Sequence, residues 1–417
     1  MNPLMRAVNF FFLKVILIPL TIGICTPYAS KAQQFGFNGS RTKSAVNFTL
    51  IRNLIIIPLY INNKGPYNFI LDTGVGPLVI TDTTIVQELN LKDLRPIKIS
   101  GLGKGMEIDA FLSNQISAQI GKANIDYIPT AILKSDILGL SNYMGTRIYG
   151  LLGYYFFNSF TVEINYSSKR VIFNLPGTKK KIKGEIIPLQ IINSKPYINV
   201  ELDIKELGSI NAKVVVDNGA SHAISLETLN EKPFPIPPNA IPANLGIGLG
   251  GPISGNVGRV PKMRIGNFEL NDVISSYPIY DDVAAKTLIL NRNGNLGSEI
   301  LSRFNITFDY ANEIMYLKKN QFFSRPFEHD MSGIEVYVEE EPEKRYFISR
   351  IEPNSPAQLA DIHEGDEIIS INFTSTKTLN LNDITKTLRS GDGRGIFLSI
   401  NRNGDLLIKL IKLKKRI

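Results

Sequence analysis

The sequence predicts an all-β-dominated protein: two β-barrel lobes in tandem, then a smaller C-terminal β module with two short helices. Three observations predict it. Short runs rich in Val, Ile, Phe and Tyr are punctuated by Gly, Pro and Asn, the rhythm of barrels and sandwiches. A set of landmarks recurs in matching register within residues 45–320. From Ser332 onward the chain changes to a pattern of strands and capped helices that has no counterpart in the repeat. At 417 residues the chain has room for two or three compact units.

The first element is a leader. Residues 1–32 carry a basic start at Arg6, an apolar stretch over 8–24 interrupted by Lys14, and the small-x-small ending Ser30-Lys31-Ala32 before Gln33. This is the pattern of a secretory signal peptide, so the product is expected outside the cytoplasm, periplasmic or extracellular. The Lys14 interruption argues against a retained anchor, and no membrane association is expected after the leader is removed. Cys25 is the only cysteine and lies inside the leader, so an exported chain without disulfides relies on its core. The leader also takes three basic residues from the chain's +8. What remains is spread thinly, in Lys179-Lys180-Lys181 with Lys183 and in 412–416. Neither run forms a basic face interleaved with aromatics, which excludes the nucleic-acid-binding class.

The lobes are placed by the repeat. The first, residues 33–178, contains Phe69-Ile70-Leu71-Asp72-Thr73-Gly74, and the second, residues 179–320, contains Val214-Val215-Val216-Asp217-Asn218-Gly219. Each is an apolar strand running into an Asp-x-Gly turn. Glycine-rich segments follow 29 residues after each Asp, at Gly101-Leu102-Gly103 and Gly246-Ile247-Gly248. Gly153, ending Gly150-Leu151-Leu152-Gly153, lies 81 residues after Asp72, and Gly297, ending Asn295-Leu296-Gly297, lies 80 after Asp217. Tyr166 and Tyr310 each follow 13 residues later. A short helix is expected after each of these glycines. The polar segments 178–184 and 318–331 supply the linkers, with 321–331 joining the second lobe to the C-terminal module.

The paired aspartates carry the chemistry. Peptide hydrolysis by two carboxylates needs one ionised, to take a proton from water, and one protonated, to polarise the carbonyl. Two carboxylates close enough to share a proton cannot both ionise, so proximity itself creates the two states. Gly74 and Gly219 allow turns closed to other residues. The Thr73 hydroxyl can hydrogen-bond across the interface, and an Asn218 amide can bridge with a different geometry. Gly101, Gly103, Gly246 and Gly248 fit mobile flaps over a substrate. His222 is read as an edge residue beside the second turn. Other chemistries find little support: His222, His329 and His363 are far apart, no EF-hand spacing is present, and no metal or cofactor is expected.

Residues 45–320 resemble the duplicated single-chain retropepsin-like aspartic peptidases of exported bacterial proteins, on Leu71-Asp72-Thr73-Gly74, Gly150-Leu151-Leu152-Gly153 and their second-lobe counterparts. The resemblance implies an aspartic endopeptidase acting on exported or extracellular polypeptides, with Asp72 and Asp217 catalytic. Asn218 departs from the Thr or Ser of the family. It leaves open a second reading, a weak or inactive peptide-binding pseudo-protease, and a scaffold of duplicated lobes is a third.

Residues 332–417 resemble a protease-associated PDZ domain, on Asn354-Ser355-Pro356-Ala357, with Ser355 as helix cap, and Gly365-Asp366-Glu367-Ile368-Ile369. The resemblance implies capture of peptide C-termini as an added strand, the carboxylate in a nest of amides at Ser332-Gly333-Ile334 and the side chain in a pocket walled by Ile334 and Leu388.

Overall fold

The structure, a computed structural model, describes residues 33–99, 107–178, 181–205, 207–248, 251–280, 291–340 and 342–417. The leader with Cys25, and the flap glycines Gly101 and Gly103, lie outside these residues. Among the described residues no helix is long and apolar enough to cross a membrane.

Both lobes wind the same closed ring. In the first, Lys64–Leu71 runs into Asp72, pairing on one side with Leu54–Ile61 and on the other, in parallel, with Gly150–Leu152. Gly150–Leu152 also pairs with Leu78–Ile80, which lies parallel to Ala123–Leu133. Ile108–Ile120 pairs with both Ala123–Leu133 and Leu54–Ile61 and closes the ring. In the second lobe Lys195–Ile204, Gly208–Val216, Gly294–Leu296, Ile224–Leu226, Phe268–Pro278 and Gly251–Ile265 repeat that order and closure. The strands entering the two Asp-x-Gly turns are covered on both faces. Ile70-Leu71 and Val214-Val215-Val216 are therefore uninterrupted apolar runs, not alternating ones.

The repeat did not announce that the lobes also share a sheet. Its six strands run in the order Glu185–Pro188, Ile314–Lys319, Phe304–Asp309, Thr161–Asn165, Arg170–Asn174, Lys43–Asn47. The seam pairs Thr161 with Asp309 and Ile164 with Ile306. Over it packs an aromatic cluster, with Phe157 and Phe308 rings 5.3 Å apart and Phe156 and Phe173 5.1 Å apart. One continuous apolar core thus spans both lobes, and they cannot separate without exposing it.

The C-terminal module has its own core and a sheet ordered Ile334–Glu339, Arg345–Ile351, Glu367–Ile371, Gly395–Arg402, Asp405–Lys412. Ser355 Oγ accepts from Gln358 N at 3.2 Å, capping Pro356–Leu359. Asn380 and Asp383 form a reciprocal capping box on Leu381–Leu388. The linker over 321–331 is tied to the second lobe. Arg303 donates to the carbonyls of Phe323, Arg325 and Pro326 and stacks 3.6 Å from the centroid of the buried Phe327 ring. One guanidinium therefore straps this segment to the second lobe, which sequence polarity alone does not reveal.

Candidate active site

The two Asp-x-Gly turns meet at the lobe interface. Gly150–Leu152 and Gly294–Leu296 thread between the strands that flank each turn, and Leu152 O accepts from Asp72 N at 2.8 Å while Leu296 O accepts from Asp217 N at 2.9 Å. This threading explains the spacing of about eighty residues. It also explains the glycines. A β-carbon at Gly150 would lie 1.9 Å from Val79 O, and one at Gly153 2.3 Å from Val75 O. In the second lobe Gly294 and Gly297 are crowded in the same way by Ser225 O at 1.9 Å and His222 O at 2.1 Å.

Between the turns the middle residues lock reciprocally. Thr73 Oγ1 donates to Val216 O at 2.7 Å and accepts from Asn218 N at 3.1 Å. Asn218 Oδ1 accepts from Thr73 N at 3.0 Å, and its Nδ2 donates to Leu71 O at 2.8 Å. Both side chains are fully buried. The amide, having a separate donor and acceptor, performs both tasks that a hydroxyl performs with one atom.

This lock brings the carboxyls of Asp72 and Asp217 together across the interface. A β-carbon at Gly74 would fall 2.8 Å from Asp217 Cγ, and one at Gly219 2.1 Å from Asp72 Cγ, so the third position of each turn must be glycine for the opposite carboxyl to approach. The inner oxygens accept from backbone amides, Asp72 Oδ1 from Gly74 N at 2.6 Å and Asp217 Oδ1 from Gly219 N at 2.9 Å. Burial holds Asp72 well above the ordinary carboxylate range, and the neighbouring charge of Asp217 pushes the same way.

The surroundings break the two-fold symmetry. Asn295 Nδ2 donates to Asp217 Oδ2 at 2.7 Å, where the first lobe has Leu151. Lys195 follows the Asn193-Ser194 turn, where the first lobe has the buried Leu54 after Arg52-Asn53. It lies within electrostatic reach of both aspartates and of Glu227. Burial, then Arg292, lowers the Lys195 ammonium, and the carboxylates oppose that. Arg292 and Glu227 form a buried ion pair at 2.9 Å on the same side. His222 is not the edge residue expected: its Nε2 is buried, the ring lies within electrostatic reach of Asp217, and burial lowers its pKa. Sequence reading missed the parts played by Asn295, Lys195 and His222. The signal was present as departures of one half of the repeat from the other.

Of the flap residues, Gly246 and Gly248 lie on Ile241–Gly248, paired with Gly251–Ile265 and bulged between Asn244 and Gly246. In the C-terminal module the amide nest is not free. Asp330 Oδ1 accepts from Ser332 N at 3.0 Å and Gly333 N at 2.6 Å, and Ser332 Oγ accepts from Ile334 N at 3.1 Å. An internal carboxylate thus occupies the nest expected for a peptide's, and Ile334 and Leu388 are buried in the module's core instead of walling an open pocket. Among the described residues no cluster of His, Cys, Asp and Glu is arranged to hold a metal ion.

Comparison with known proteins matches both parts of this architecture. Residues 57–156, a span that includes Asp72 and Gly153, match the family model described as aspartyl protease, and residues 322–400 match the PDZ domain model. No curated protein matches the chain. The chain therefore carries an aspartyl protease domain and a C-terminal PDZ domain, a protease fold joined to a peptide-binding module.

Proposed function

We propose that the protein is an aspartic endopeptidase whose active site is the Asp72–Asp217 pair, cutting exported or extracellular polypeptides. The observation that carries the reading is the reciprocal Thr73–Asn218 lock, which holds the two Asp-x-Gly turns together with each glycine packed against the opposite carboxyl.

The asymmetry assigns the roles. Asp72, in its buried setting, keeps the proton and donates it toward the scissile carbonyl oxygen. Asp217, with donors from Gly219 and Asn295, accepts a proton from the attacking water. The water oxygen bonds to the carbonyl carbon, giving a gem-diol. On collapse Asp217 passes its proton to the leaving nitrogen, the C–N bond breaks, and Asp72 takes a proton from a gem-diol hydroxyl as the carbonyl re-forms, so the pair begins and ends the cycle with one proton. Residues Gly101, Gly103, Gly246 and Gly248 serve as flaps in this reading.

The test is incubation of the mature chain with denatured protein from acid to neutral pH. Fragments that appear with a rate falling on both sides of an optimum support the reading. Intact substrate at every pH contradicts it. Export rests on the leader, and N-terminal sequencing of the cell product should begin at Gln33; a cytoplasmic product retaining Met1 contradicts export.

A further inference from the structure

The PDZ sheet edge is already engaged by the protein itself. Ile334–Glu339 is an edge strand, the kind of edge to which such domains add a peptide strand. Beside it lies Leu381–Leu388, with Leu388 O accepting from Met331 N. Between strand and helix sits the tip of the first-lobe hairpin, Thr49–Ile51 and Leu54–Ile61, turning through Arg52 and Asn53 at φ 47° and 65°. Such a two-residue turn favours Asn-Gly, so Arg-Asn here relies on outside contacts. Arg52 Nη2 donates to Val336 O at 2.6 Å, on the edge strand. Asn382, in the first turn of the helix, donates to Leu50 O at 3.1 Å, and Ile51 packs on the PDZ core.

The same tip reaches the catalytic turn of the other lobe. Asn53 Nδ2 donates to Ser221 O at 3.2 Å, four residues after Asp217. The Arg52 guanidinium lies 4.2 Å from the centroid of the Tyr143 ring, and the Tyr143 hydroxyl is 3.4 Å from Ser221 Oγ. The PDZ edge strand also holds the second-lobe flap, since Asn244 Nδ2 donates to Glu335 Oε2 at 3.2 Å. The second-lobe hairpin, by contrast, sets Ser194 against Gly76, so the two hairpins each brace the opposite turn, and among the described residues only the first hydrogen-bonds to the PDZ domain.

We propose that this hairpin is the resident ligand of the PDZ groove, and that Arg52 and Asn53 are positioning residues through which groove occupancy fixes the Asp217 turn. An extended polypeptide adding to Ile334–Glu339 competes with Arg52 for Val336 O, loosens Ser221 and Asn244, and lowers turnover. The effect on turnover rests on the peptidase reading above; the coupling between groove and turn does not.

The experiment is hydrogen exchange and peptidase kinetics on the full mature chain and its Asn382→Ala, Arg52→Ala and Arg52→Lys variants. Asn382 is exposed, so its truncation leaves the cores untouched. In Asn382→Ala and Arg52→Ala, exchange rises about three-fold or more over 49–54 and over 217–222 together. In the same two variants kcat falls about ten-fold with KM nearly unchanged. Arg52→Lys, which keeps a donor for Val336 O, recovers most of both. Exchange at 217–222 that stays at the wild-type rate in both truncations overturns the proposal. A wild type without peptidase activity instead defeats the peptidase reading, and the exchange result still decides the coupling.

Discussion

At the scale of single residues, Asn218 and Asp72 hold the two turns together and set their charge. Asn218 looked like a defect in the repeat, because a hydroxyl and an amide differ in reach. In the fold its two amide atoms meet Thr73 N and Leu71 O, so nothing is left unpaired. Asn218→Thr is therefore expected to be close to neutral, since Thr73 shows that a hydroxyl fits the mirrored position. Asn218→Ala leaves buried groups unsatisfied and costs about 2–3 kcal/mol by urea unfolding, with activity lost in step. A fully stable and active Asn218→Ala protein contradicts the lock. For Asp72 the sign follows from its raised pKa. A group whose folded pKa exceeds its unfolded value contributes stability that is fully present below the unfolded pKa and lost as pH rises through the folded one. Asp72→Asn removes that loss. The variant should be more stable than the wild type at neutral pH, by about 1–2 kcal/mol, and the advantage should shrink toward acid. A thermal unfolding series across pH reads this directly, and a destabilised Asp72→Asn at neutral pH contradicts it.

At the scale of elements, the parts legible in the sequence were those under steric demand. Gly153 and Gly297 stand at fixed spacing because a strand must thread a turn with no room for a side chain, so the constraint is written as a residue type. Gly153→Ala should lower stability by about 2–3 kcal/mol or more through the clash with Val75 O, whereas Gly36→Ala, facing open space, should change little. Equal urea midpoints for the two variants contradict the threading. What stayed hidden depends on contacts between distant segments. Asp330 fills an amide nest that sequence reading assigned to a peptide, because its carboxylate bonds locally to the following loop. The hairpin tip at Arg52-Asn53 carries no turn signature, since its conformation is held by Asn382, Val336 and Ser221. Lys195 and Asn295 lay at positions where the halves disagree, so a search for matching landmarks passed over them.

At the scale of the molecule, the all-β architecture and the PDZ domain were legible from repeats and phrases, while the shared six-stranded sheet was not, because strand order across a seam has no local signature. That sheet and its aromatic cluster make the pair of half-sites intramolecular. Activity per molecule should accordingly stay constant on dilution, and a loss at low concentration would mean that the lobes pair between chains. The central claim is that Asp72 and Asp217 act as one unit, and the most direct measurement is kcat/KM for wild type, Asp72→Asn, Asp217→Asn and the double variant on one peptide substrate. Each single variant should fold and lose several orders of magnitude, and the double variant should be hardly worse than either, because groups that share one proton are not additive. Full activity in Asp217→Asn would contradict the account and reduce the second turn to a structural copy of the first.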